Sequence, residues 1–478
     1  MREDVQVSQA QFSEIVGIPQ YYLSGLELGK NAPTADEIVK IKMAVEKINH
    51  GDIKPRRKKR ISKEVFDYSI VAVNPRRDYV KTERNEEYKK LLCELETNFK
   101  KDHSDCPKAI SFFAGCGGLS LGLEQAGFTP WFVNEIVPTF CETYKKNHDL
   151  SDDHYYIGDI NNLNKHLDDY HDYIDNLDLV CGGPPCQGFS MANRQRLIDD
   201  PRNLLYKAYL YFLSITKPRF FIMENVRGMA NKIEEIKENF KEYLGEEYVF
   251  GYRLLYAQDF GVPQNRERFI FIGNREGVSI DAIFDAIEKH KRKPFVLRDA
   301  LVGLPPLEAK KEKGKTDIEN EKSGFTERDF VYTENAFYRF INGKRKITKL
   351  YNHKNRYNNP RDIEIFSRLP QGANSLHESI ADIMPYKRRN AIFKDKYFRL
   401  ADNQICKTIT SHMKFDCNMY IHPWEARGLS PREAARIQTF PDDYVLFGAQ
   451  NSWYAQVGNA VPVKLAKAIG EGIMQFIK

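Results

Sequence analysis

The sequence predicts an α/β protein built on a mostly parallel sheet with helices on both faces, carrying an inserted second domain and a small all-α domain at its amino end. Three observations lead there. From Ala109 onward, short β-rich runs alternate with amphipathic helical stretches, the order that produces a parallel sheet covered on both sides. Between about 277 and 420 this alternation dissolves into polar, Lys- and Asn-rich sequence before an ordered carboxyl-terminal block resumes. The first fifty residues hold only helical patterns broken at glycine and proline. At 478 residues the chain is long enough for two or three domains, each with its own core.

Taken in order, the amino-terminal segments SQAQFSEIVG, PQYYLSGLELG and TADEIVKIKMAVEKI read as short helices separated at Gly17 to Pro19 and at Gly29 to Pro33. They resemble the helix-turn-helix of phage repressors, with Gly17 in the turn, although only seven residues precede Ser8 where such domains carry a further helix. Residues 1–50 are therefore expected to form a helix-turn-helix-like domain. Residues 51–105, opening with the basic run KPRRKKR, form a polar linker whose charges could also touch phosphates. The strands AISFF, TPWFVNE, LDLVCGG, RFFIMENV, YRLLYA and RFIFIGN then build the first part of the main domain, 106–276. An inserted domain at 277–420 and a closing part at 421–478 complete the chain.

Composition narrows the class. With 42% hydrophobic and 29% charged residues the chain is globular, and a mean hydropathy of −0.56 points to much polar surface. No apolar run approaches the ~18 residues of a membrane span, and MREDVQVSQAQF lacks the apolar centre of a signal peptide, so a cytoplasmic location with no membrane partner is expected. Eight cysteines without a CxxC pair suggest neither a metal site nor a disulfide framework. A net charge of +6 fits ordinary solubility as well as a polyanionic partner, and decides nothing.

The strand AISFF runs into a glycine-rich turn with Gly115, Gly117 and Gly118, where backbone can approach a ligand closely. Twenty residues after Gly115, at the end of the next strand, Glu135 stands where an acid grips ribose hydroxyls in doubly wound folds. The turn carries no Lys or Arg and no GK[ST], so a nucleoside cofactor without phosphates fits better than a dinucleotide or ATP, and S-adenosyl-L-methionine meets that description. Taken alone, such a turn is most simply a packing device.

LDLVCGGPPCQGFS places Cys186 just past an apolar strand, in a loop stiffened by Pro184 and Pro185. A lone cysteine is usually a small buried hydrophobe, but a Gly-Gly-Pro-Pro turn is an unlikely core. A second strand delivers Glu224 and Asn225 at its own end, which sets a thiol beside a carboxyl group in a cleft at the sheet top. A free thiol, with a pKa near ~8.5, needs activation, and no histidine accompanies either segment.

The blocks FxGxGG, PPCQ, ENV, QNRER, REAARIQTFPDDY and QVGNAVP occur here in the order found in the DNA cytosine-5 methyltransferase family, which the chain resembles over roughly 109–275 and 395–478. That resemblance implies a Rossmann-like S-adenosylmethionine-dependent methyltransferase sheet with an inserted target-recognition domain, acting on double-stranded DNA, without a stable protein partner. It implies that a cytosine is flipped from the duplex, that Cys186 attacks its C6, and that Glu224 holds its N3. Arg266 and Arg268 would face the cytosine O2 and the covalent intermediate, although alone they read equally well as an ion-paired surface. By the same carry-over Phe113, Gly115, Gly117 and Gly118 line the adenosine, Glu135 takes the ribose, Asp159 and Ile160 meet the adenine, and Leu205 and Asn459 complete the cofactor contacts. The loop at about 187–204, with Gln187 and Ser190, would close over the flipped base. RGLSPREAARIQTFPDDY would support the recognition domain. The inserted region's Lys, Arg, Asn and aromatic residues suit groove contacts, and water-facing loops share that composition.

Two rival functions remain open at this level. A transfer-RNA cytosine-5 methyltransferase shares the PPCQ and ENV logic, but the long insertion favours duplex DNA. A transcriptional regulator acting through residues 1–50, on the promoter of the methyltransferase and a companion restriction endonuclease gene, is compatible with the enzyme reading.

Overall fold

A computed structural model of the chain describes residues 9–18, 32–50, 106–185, 205–312, 324–385 and 396–477. Two compact units are present, 1–67 and 68–478.

In the first unit, α1 (Gln9–Val16) and α2 (Ala35–Asn49) bury Phe12, Val16, Ile18, Ala44 and Ile48 together. Gly17, with φ of 74°, ends α1, as the turn glycine was expected to. Thr34 and Glu37 form a reciprocal capping box at the start of α2. The presumed recognition helix, within 19–31, and the basic run at 54–60 lie outside the described residues.

The second unit is organised by a seven-stranded sheet of order β3-β2-β1-β4-β5-β8-β6. Its strands are β1 (Lys108–Phe112), β2 (Thr129–Glu135), β3 (Tyr155–Ile157), β4 (Leu179–Gly182), β5 (Phe220–Val226), β6 (Val249–Tyr256) and β8 (Glu267–Asn274). The pairs from β3 through β5 are parallel, and β8 runs antiparallel to both β5 and β6. Strands buried on both faces read as continuous apolar runs, because residues alternate between two cores. Ile110, Phe112, Val180, Phe221 and Met223 face α5 (Leu205–Thr216) and α6 (Ile233–Leu244), which contribute Tyr209, Phe212 and Phe240. Leu179, Cys181, Phe220 and Ile222 face α3 (Gly118–Ala126), α7 (Ile280–Glu288) and α11 (Val463–Met474). The α3 and α11 backbones nearly touch at Gly122, where a Cβ would lie 2.3 Å from that of Ala466. A helix from the far end of the chain thereby completes the domain begun at β1.

Two parts of the stretch 277–420 belong to this packing. Helix α7 buries Ile283, Phe284 and Ile287 against the sheet, and β11 (Cys406–Lys407) pairs in parallel with β7 (Gln264–Asn265). Residues on both sides of 277, and on both sides of 420, thus share packed clusters. Between those parts lie the antiparallel pair β9 (Gly324–Asp329) and β10 (Lys349–Lys354), with its own apolar cluster around Phe325, Tyr338 and Leu350, and α8 (Pro360–Arg368), which packs in a second. Helix α9 (Pro431–Ile437) fastens this region through buried polar groups. Arg427 grips both oxygens of Glu433 at 2.7 Å, Arg432 donates to Tyr351 O and Pro441 O, and Asn342 donates to Asp442. The supporting role expected for RGLSPREAARIQTFPDDY has this physical form.

Candidate active site

Chain connections leave β1 and β4 in opposite directions across the sheet, so the crevice beyond their carboxyl ends is the topological switch point, where ligands of such sheets bind. The glycine turn fills one side of it. Phe113 and Gly115 both have positive φ, 52° and 57°, and a Cβ on Gly115 would point into open space. Gly117 also has positive φ, 87°, and both it and Gly118 are crowded: a Cβ on Gly117 would lie 2.3 Å from His148 Nε2, and one on Gly118 would lie 2.7 Å from Val461 O. Their side-chain positions are taken by packing, and only their backbone remains for a ligand.

Glu135 ends β2 beside this turn, 6% exposed. Its Oε2 accepts from Gly115 N at 2.7 Å and its Oε1 from Val137 N at 2.8 Å. Burial pushes the carboxyl up, while the backbone N–H groups of Val137, Gly115 and Ile136 pull against it. Asn134 fixes the next loop by donating to Tyr156 O and Gly158 O. Asp159 caps the single turn Ile160–Leu163, accepting from Asn161 N, while the Ile160 side chain is buried in the core. Leu205 opens α5 and is also buried. The open direction at Gly115, a buried acid beside it and the absence of basic side chains from the turn fit an adenosyl group.

The second side of the crevice is formed by β4, β5 and β8. Glu224 lies near the end of β5 and is 9% exposed. Gly183 makes room for it, since a Cβ there would be 2.9 Å from Glu224 Oε2. Arg268 comes from β8, antiparallel to β5, and sets its Nε 2.5 Å from Glu224 Oε1. That contact pairs charges off the N–H axis and leaves Nε without an aligned hydrogen bond. Asn225 points the other way and donates to Pro184 O at 3.2 Å, holding the turn that leads to Cys186. Cys186 and the loop 187–204 lie outside the described residues. The five buried cysteines among the described residues are poor nucleophiles: burial pushes Cys116, Cys141, Cys181 and Cys406 up to about 12 and raises Cys417.

The two arginines expected to act together have different surroundings. Arg268 is beside Glu224, whereas Arg266 is 2% exposed and donates to Ile409 O at 2.7 Å and to Gly458 O at 3.3 Å. Burial, then the Arg268 charge, push its guanidinium well below the usual range. Gln264 and Gln438 tie the same region together. Gln264 donates to Gln438 Oε1 and accepts from Ile409 N, each at 2.8 Å, and Gln438 donates to Val457 O and Ala460 O. These amides fix α10 (Gln450–Asn459), at whose exposed end Asn459 lies. Sequence reasoning had not singled out Gly183, Gln438, Gly458 or Ile409. Gln264, Gln438 and Gly458 carried a signal, each lying inside a recognised block, whereas Ile409 lies in none.

A family model described as C-5 cytosine-specific DNA methylase matches residues 107–475. The Type II methyltransferase M1.HphI of Haemophilus parahaemolyticus is 32% identical over 380 residues, covering 77% of this chain and 86% of that protein. M.DdeI, a Type II methyltransferase of Desulfomicrobium norvegicum, is 31% identical over 391 residues, covering 77% and 89%. Among solved structures, one described as a DNA modification methyltransferase encoded within an E. coli prophage covers 77% of this chain and 99% of its own, with a TM-score of 0.59 and 24% identity, a likeness of fold.

Proposed function

The chain belongs to the C-5 cytosine-specific DNA methylase family, and from that premise we propose how its residues methylate C5 of cytosine in duplex DNA, as the modification enzyme of a restriction-modification system. The observation that carries the proposal is the buried Glu224 carboxylate, seated in the space Gly183 leaves open and paired with Arg268 at the end of β5.

Extrusion of the target cytosine costs a few kcal/mol of stacking and brings its polar edge to this pocket. Glu224 shares a proton with the ring N3, and Arg268 donates to O2, so the electron density released by attack at C6 is drawn away from the ring. Cys186 Sγ forms the bond to C6, and the thiol needs no histidine because the substrate itself is activated. S-adenosyl-L-methionine, which Gly115 and Glu135 would hold, would supply an electrophilic methyl group for C5 and leave as S-adenosylhomocysteine. Loss of the C5 proton to a base then expels the thiolate and restores the ring. Arg266, sealed against Ile409 and Gly458, supports β8 and the end of α10.

Transfer of labelled methyl groups to duplex DNA and to transfer RNA tests the substrate. Label in DNA supports the reading, and label in transfer RNA alone would overturn it.

A further inference from the structure

Beneath the glycine turn lies a buried chain of polar groups that the methyl-transfer scheme does not use. His148 follows α4 (Pro138–Asn147), and its side chain is fully buried. Its Nδ1 is 2.5 Å from Glu124 Oε2, on α3, and its Nε2 is 3.1 Å from Tyr444 Oη. The Tyr444 hydroxyl in turn donates to Cys116 O, in the turn itself. A carbonyl oxygen only accepts, so the single phenolic proton is committed to Cys116. His148 Nε2 must then be the donor to Tyr444, and one further proton lies between Nδ1 and Glu124. With that proton the chain is satisfied from end to end; without it a lone pair and a carboxylate would face each other at contact distance.

The surroundings hold these groups in place. The Tyr144 ring stacks on His148 with centroids 4.0 Å apart. Asn147 donates to Val445 O at 2.7 Å and accepts from Val445 N at 2.9 Å, and Phe447 N donates to Thr143, so the strand of chain bearing Tyr444 is clamped along α4. The imidazole also touches the turn directly, because Gly117 has no Cβ to keep it away.

We propose that Glu124, His148 and Tyr444 form a strut that sets the backbone of the turn from Gly115 to Gly118, which makes His148 a positioning residue for the adenosyl cofactor. The inference rests on the cofactor reading above. The strut acts through Cys116 O and Gly117 and touches neither the cytosine nor the transferred methyl group. Its removal therefore weakens cofactor binding while leaving the chemistry at the base intact.

The test is calorimetric binding of S-adenosylhomocysteine to the full chain, alongside methyl transfer to unmodified genomic DNA. His148→Phe keeps the ring stack and deletes both hydrogen bonds; it should weaken binding roughly tenfold to a hundredfold. The cofactor KM should rise in parallel while kcat at saturating cofactor stays within about twofold. His148→Gln, which keeps a donor for Tyr444, should recover most of the loss. Tyr444→Phe, a smaller change that serves if His148→Phe does not fold, should reproduce the weakening. Unchanged affinity in the folded variants, or a fall in kcat without a change in affinity, would overturn the strut alone. If the unaltered chain does not bind S-adenosylhomocysteine, the cofactor reading fails, and the strut with it.

Discussion

The Asn225 side-chain amide reaches Pro184 O at 3.2 Å, so the strand that presents Glu224 on one side holds the Cys186 turn with the residue next to it. One strand end thereby presents the acid of the proposed reaction and holds Pro184, two residues before its nucleophile in the chain. The variants below separate what builds this arrangement from what uses it.

Gly183→Ala tests the space around the acid. A methyl group there would meet Glu224 Oε2 at 2.9 Å, and because that atom ends a side chain, the carboxylate should shift rather than the strand. The expected result is a melting temperature within a few degrees of the unaltered chain and a kcat lower by roughly tenfold or more, as for loss of a positioned acid. Steady-state kinetics beside thermal unfolding checks both.

Arg266 and Arg268 should fail differently. Arg266→Ala strands Ile409 O and Gly458 O in the interior, and should cost about 2–4 kcal/mol of stability in urea unfolding. Arg268→Lys keeps a charge beside Glu224 but loses the planar fork, and should lower kcat at least tenfold with stability within about 1 kcal/mol. Equal stability losses in the two would contradict the division of roles.

Acid should loosen the support under the inserted region. His353 accepts from Ser430 and donates to Pro305 O, a fully satisfied neutral ring, and burial lowers it to about 4; burial likewise lowers His422 to about 3. Both folded values are depressed below the ordinary 6.5, so their contribution is complete above that pH and is lost as protons bind the unfolded chain first. For His353 the loss between pH 6.5 and about 4 is on the order of 3 kcal/mol. Unfolding measured from pH 7.5 down to 4.5 should show a plateau and then a decline, shallower in His353→Leu. A flat profile would contradict the buried neutral histidines.

Much of this molecule was legible in its sequence because the central strands are buried on both faces, which leaves unbroken runs such as FFIM in β5. Strand β3 was not legible: it is three residues long, at the sheet edge, in an Asp-rich stretch. Helix α7 was hidden for a different reason, since it follows the last strand and precedes a polar region, and only packing against α11 assigns it to the sheet. In the site, Glu135 and Glu224 were readable as acids at strand ends. Arg266 and Arg268 were not separable, being two residues apart in one block. Their difference arises because Arg266 falls between β7 and β8 and meets carbonyls supplied by residues 409 and 458. The pairing of Gln264 with Gln438 likewise joins residues far apart in the chain, where no local pattern can announce it.

In the proposed reaction Cys186 drives methylation of cytosine C5 in DNA. Strand-resolved sequencing of 5-methylcytosine in cells expressing the chain, beside cells expressing Cys186→Ala, tests it most directly. Methylation of one cytosine in a fixed short sequence is expected with the unaltered chain, and none with the variant. Equal methylation in both, or modification confined to another atom or base, would contradict it.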